Sequence, residues 1–247
     1  MKAMAFASRN AKEILRDMVT LFFGIAFPLI LMVLLSAINK SIPAEASMQL
    51  FNIELLAPGI SVFGLSFISL FSAMLISKDR STSFMLRLFI SPLKPSDFIL
   101  GYTVPLLPMA LLQTLVCYAA SLIFGLKLSV NILLAAVVNI PIAVVFIALG
   151  LLFGTILNEK AVGGVCGALL TNLSAWFSNI WFDTSLVGGW FSKLSNALPF
   201  ARAVNSARYA IAGDYASIMP ELWWVIGYAV VLLAAAITVF SLRIKHN

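Results

Sequence analysis

The chain has 247 residues, of which 62% are hydrophobic and only 11% charged. A soluble domain carries about a quarter of its residues as charges, so this composition excludes an ordinary water-soluble fold and makes membrane spans the natural unit of the chain. A formal charge of +6 would point to nucleic acid in a soluble protein. In so apolar a chain it reports the basic bias of cytoplasmic loops, and no nucleic-acid partner is expected.

Residues 1–17 predict an amphipathic helix at the membrane surface. Met4, Ala7, Ala11, Ile14, Leu15 and Met18 recur at helical spacing, while Arg9, Lys12, Glu13 and Arg16 point elsewhere. This lead is long and charged for a secretory signal, and cleavage is not expected. Six spans follow, at about 18–38, 56–77, 99–124, 132–157, 161–182 and 222–242. Pro28 predicts a kink in the first. In the second, Ser66, Ser69 and Ser72 form one stripe, and Phe63, Phe67 and Phe71 another that faces lipid or a cavity. The pairs Gly150/Gly154 and Gly163/Gly167 have the spacing of close helix approach, and Asn172 and Asn179 are expected to share a face. Cys117 and Cys166 fall in apolar runs and are read as packing residues.

Two connections do not read as simple loops. Between the second and third spans, Lys78-Asp79-Arg80 opens a segment in which Phe84, Met85, Leu88 and Phe89 keep helical spacing until Ser91-Pro92 and Lys94-Pro95 break it. A short amphipathic helix there suits docking into a groove on a soluble partner, the alternative being an interfacial loop with none. Residues 183–220 mix Trp190, Phe191, Leu194, Leu198 and Phe200 with Asp183, Lys193, Arg202, Arg208 and Asp214. They predict one or two short helices at, or dipping into, the interface, with Trp181, Trp190, Trp223 and Trp224 as an aromatic belt.

Six spans put both termini on one side. With that side cytoplasmic, eleven of the sixteen Lys and Arg residues lie inside, which places the 78–98 segment inside as well. Catalytic chemistry has little to stand on. No Gly-Lys dipeptide, and so no usual phosphate-binding loop, occurs; His246 is the one histidine; acidic residues stay in loops or at span ends. The chain is therefore read as a non-enzyme with no cofactor of its own, and any ATP it uses is bound by another chain.

The whole layout resembles the permease subunit of ABC-2 type exporters. The residues that carry the likeness are Asp79-Arg80, Arg87-Leu88, Ser91-Pro92 and Phe98 to Gly101, with a second match from Leu198-Pro199-Phe200 to Ala207-Arg208. Ser81, Ser83, Phe84 and Tyr102 depart from the family pattern. The resemblance implies an all-α integral membrane protein forming one transmembrane domain over 1–247, in a bacterial plasma membrane. It implies pairing with a second permease subunit, identical or related, and with cytoplasmic ATPases that hold ATP and Mg. It makes the 78–98 segment a coupling helix, with Asp79, Arg80, Phe84, Arg87, Leu88 and Pro92 as coupling residues. Ser66, Ser69, Asn172 and Asn179 become candidate contacts of a pathway for an amphiphilic drug, peptide or lipid, interhelical hydrogen bonds being the alternative. Pro199, Arg202 and Arg208 would anchor the outer hairpin to headgroups or to carbonyls. The rival readings are a secondary transporter, which lacks the expected midspan charges and internal repeat, and a non-transporting scaffold or immunity subunit.

Overall fold

The computed structural model describes residues 2–42, 49–82 and 95–246, and the regular structure in them is helical. The amino-terminal α1 (Lys2–Arg16) buries Phe6, Ala7, Asn10 and Ile14, not the whole face that apolar spacing marks out. Met4, Leu15 and Met18 stay exposed. The buried face is shifted because Asn10, a polar residue, sits at its centre and is satisfied there by the Gly101 carbonyl at 3.0 Å. Asp17 then ends α1 by capping the next helix, accepting from the backbone amides of Val19 and Thr20.

Helix α2 (Met18–Ser41) contains a π-helical stretch, Phe22–Ala26, immediately before Pro28. Proline has no amide hydrogen to donate back along the helix, and the widened turn lies where that bond would be made. Helix α3 (Ile53–Ser81) is the axis of the molecule: 89% of its most apolar window is buried, against 22% for α2. Its Phe63, Phe67 and Phe71 therefore do not face lipid. Phe67 meets Phe23 and Phe27 at ring separations of 5.9 and 5.3 Å, so α2 covers the phenylalanine stripe.

The serine stripe of α3 faces α5 (Asn131–Ile156), which follows α4 (Pro95–Ile123). A Cβ on Gly150 would strike Ser72 Oγ and the Ser69 backbone, and one on Gly154 would strike Ile76 and the Ala73 backbone. These glycines let two long helices approach almost backbone to backbone. The pair Gly163/Gly167 behaves differently. Helix α6 covers residues 159–176 and is π-helical over Gly163–Leu170. Positions four apart no longer stack in such a stretch. Gly167 meets Leu70, while Gly163 faces open space.

Helix α6 stops at Trp176, short of the predicted end of the fifth span, and Asn179 beyond it takes φ 60°. The chain from 159 to 181 still runs the length of α3 in the opposite direction: Gly167 lies at Leu70, Ile180 at Gly59 and Trp181 at Phe63. Short helices α7 (Thr184–Val187), α8 (Gly189–Ala197) and α9 (Pro199–Ala212) follow, and Gly213, in the left-handed region at φ 78°, caps α9. Helix α10 (Tyr215–His246) starts well before the predicted last span. Among the described residues, five helices are long and apolar enough to cross a membrane, namely α2, α3, α4, α5 and α10. Both ends of the described chain lie at one end of the bundle, the terminal end; α7–α9 cap the other, the hairpin end.

The α3–α5 approach yields a direct test. Gly150→Ala must push backbone aside and is expected to cost about 1–3 kcal/mol. Gly163→Ala meets nothing and is expected to be neutral or slightly stabilising. Thermal unfolding of the two variants in the same detergent measures the difference.

Candidate functional site

The terminal end of α3 is tied to three neighbouring helices. Asp79, 2% exposed, accepts on Oδ2 from Arg9 Nη1 of α1 at 2.7 Å and from the Tyr102 hydroxyl of α4 at 2.8 Å. Arg9 also pairs with Glu13 at 2.9 Å, and Glu13 receives Lys78 at 2.8 Å, so the motif lysine and aspartate are bound to one face of α1. Arg80 turns the other way. Its Nη1 donates to the carbonyls of Gly154 and Leu157, at 2.7 and 3.1 Å, at the end of α5. A helix end leaves carbonyls without intrahelical partners, and a cation there also favours the helix dipole.

A buried carboxylate is tolerated only when paired and hydrogen-bonded. Burial works against the Arg9 charge, but the hydrogen bond and charge of Asp79, with Glu13 behind them, outweigh it and hold the guanidinium above its ordinary value. Phe6 packs on the Tyr102 ring at 4.9 Å and fits over Gly101, where a Cβ would collide with it. Beside this network a cleft of about 730 Å³, lined among others by Lys12, Arg16, Asp17 and Lys78, opens between α1 and α3.

At the hairpin end, Arg208 donates from Nε to the Leu55 carbonyl (3.2 Å) and from Nη2 to the Asn179 carbonyl (3.0 Å), joining α9 to α3 and to the turn after α6. Burial pushes this guanidinium down to about 10, which leaves it charged at neutral pH. Asn179 Oδ1 accepts from the backbone and the hydroxyl of Thr184. Arg202 pairs with Glu221 at 3.0 Å, donates to the Asn196 carbonyl and lies over Trp224. Pro199 opens α9, the position where a missing amide hydrogen costs nothing. The hairpin is thus held to carbonyls and a carboxylate of its own chain.

Ser66 and Ser69 are fully buried and donate to the Phe63 and Ser66 carbonyls, each at 2.6 Å, while Ser72 also reaches Ile147 of α5. Asn172 is exposed and bonds the Ala168 carbonyl. Asn172 and Asn179 do not share a face, because the helix ends between them. Among the described residues no group of His, Cys, Asp or Glu is placed to hold a metal ion.

A family profile described as ABC-2 type transporter matches residues 2–212, from the start of α1 to the end of α9. The chain belongs to the ABC-2 type transporter family. It is a multi-pass membrane protein and the permease component of an ABC-type transporter, and the family implies an ABC ATPase subunit as its partner. No curated protein matches the chain.

In this ABC-2 permease the residues expected to couple to the ATPase divide. Asp79 and Arg80 turn into the bundle and fasten it, while Phe84, Arg87, Leu88 and Pro92 lie outside the described residues. Sequence reasoning missed Arg9, Asn10, Glu13 and Tyr102 as partners of the motif. The available signal was Tyr102 itself, which breaks the family pattern at the very position that faces Asp79.

Arg9→Ala removes the cationic partner of the buried Asp79 carboxylate. It is expected to cost about 2–3 kcal/mol, less than a fully broken buried pair, because Arg9 is partly exposed and the Tyr102 hydroxyl still donates. Adding Asp79→Asn in the same chain removes that charge and is expected to recover most of the loss. Thermal unfolding of the two single variants and the double variant provides the cycle.

Proposed function

We propose that this permease forms half of an exporter, paired with an identical or related chain, and moves an amphiphilic drug, peptide or lipid outward. ATP and Mg are held by the cytoplasmic ATPase, and the membrane is the bacterial plasma membrane. The observation that carries this reading is the fastening of α3 just before the 83–94 segment. Asp79 joins α3 to α1 and α4, and Arg80 joins it to α5. A load applied to the connecting segment would reach those helices together instead of bending one helix end. ATP binding on the partner would thereby bias two arrangements of the bundle. The basic bias of the terminal end supports a cytoplasmic location for it, with the chain crossing six times and the 159–181 stretch as the fifth crossing. Of the four polar candidates for the pathway, Asn172 is the one on an exposed face, and we assign it that role; the buried serines serve the α3–α5 contact.

Two measurements test the proposal. Changing both Phe84 and Leu88 to Asp is expected to leave the permease inserted and ATP hydrolysis running while transport falls on the order of ten-fold, as for a lost docking contact; unchanged transport per ATP removes the docking role. A cysteine at Ser81 is expected to react with an impermeant thiol reagent only from the cytoplasmic side, and one at Ser47 only from outside. The reverse pattern overturns the orientation.

A further inference from the structure

The junction of α3, α4 and α5 contains a polar cluster that the transport mechanism above does not use. Ser61, Gln113, Thr114, Cys117 and Tyr118 are 0% exposed and Asn139 is 1% exposed. Ser61 is eight residues from the start of α3, about 12 Å along the helix, well inside an apolar slab about 30 Å thick. Asn139 Nδ2 donates to Ser61 Oγ at 2.7 Å and to Thr114 Oγ1 at 3.3 Å. Gln113 Nε2 donates to the Ser61 carbonyl at 3.2 Å and to Cys117 Sγ at 3.4 Å. Gln113 Oε1, Asn139 Oδ1 and the Tyr118 hydroxyl have no hydrogen-bond partner among the described residues. The Tyr118 hydroxyl lies beside Ser61 without meeting the full geometry of a hydrogen bond.

The chemistry of these atoms narrows what completes them. The Ser61 carbonyl can only accept, so the Gln113 nitrogen must face it and Oε1 is left over. The Asn139 amide faces two hydroxyls, each able to donate or accept. Whichever way that amide is turned, one of its ends is unpaired. A buried polar atom left bare carries its full desolvation cost. A cation would serve oxygens alone. Water donates and accepts, and it can complete a lone acceptor, either end of an amide, and a hydroxyl.

We propose that the α3–α4–α5 junction is an internal water site, with Gln113, Asn139 and Tyr118 as its ligands. Water exchanges partners without leaving a group bare.

The two cysteines supply the test. Cys117 lies in the cluster, whereas Cys166, also at 0% exposure, lies apart from it among Ala73 and Val162. The full chain in native membrane vesicles is exposed to a short X-ray pulse in ¹⁸O-labelled water, and incorporation of the label is read by mass spectrometry. Hydroxyl radicals made from a bound water mark the side chains beside it. Cys117 and Tyr118 are expected to take up label on the order of ten-fold faster than Cys166, and Asn139→Leu is expected to abolish that advantage. Equal labelling of the two cysteines, or no label at Cys117 and Tyr118, overturns the proposal. The contrast within the wild-type chain decides the matter even where Asn139→Leu fails to fold.

Discussion

A single carboxylate in a nearly dry place sets the terms for one end of this molecule. Asp79, at 2% exposure, needs donors, and they come from two other helices, Arg9 of α1 and Tyr102 of α4. That requirement decides where α1 can lie. An amphipathic surface helix could rotate freely about its axis against lipid. Here the ion pair, the Asn10 bond to Gly101 and the Phe6 ring over Gly101 select one rotation. Lys78 is exposed and Glu13 partly so, and this outer pair adds less; Glu13 helps line up the arginine.

The bundle answers a second constraint. Hydrophobic transfer does not distinguish a neighbouring helix from lipid, so association rests on close contact and on hydrogen bonds. Gly150 and Gly154 provide the contact with α3, and Ser72 reaching Ile147 provides a bond across it. Arg80 extends the same seam to its end by closing the last carbonyls of α5. At the hairpin end, Arg208 does comparable work with the carbonyls of Leu55 and Asn179. An arginine suits both places because its planar fork can satisfy two carbonyls at once. Helix α3 is thus fastened near each end by a guanidinium, with a polar junction of incompletely paired amides between those ends.

Much of this was legible in the chain. Continuous apolar runs and their charged borders located α2, α3, α4, α5 and α10 to within a few residues, apart from the early start of α10. Charges interrupting the apolar residues of 183–220 marked the short hairpin helices, and the Gly150/Gly154 spacing announced a close helix approach, which the structure makes with α3. The errors have physical causes. The pair Gly163/Gly167 and the pair Asn172/Asn179 were read on an ordinary helical wheel, but α6 is π-helical over Gly163–Leu170 and ends at Trp176. Phe63, Phe67 and Phe71 looked equally suited to lipid because aromatic packing and lipid exposure leave the same pattern in one helix. Nothing near Asp79 or Arg80 in the chain marks them as turning into the bundle, because charge beside a span is normally solvated.

By itself, then, the sequence determined the solvent of this protein, the approximate extent of most of its long helices and its family, since each of these depends on residues near one another along the chain. The tertiary structure alone decided which charges are buried. Arg9, Asp79 and Tyr102 are separated by 70 and 23 positions, and nothing local to any of them states that the other two will arrive. The low dielectric of the packed helix ends turns their meeting from a weak surface contact into the joint that fixes α1 and α4 on α3.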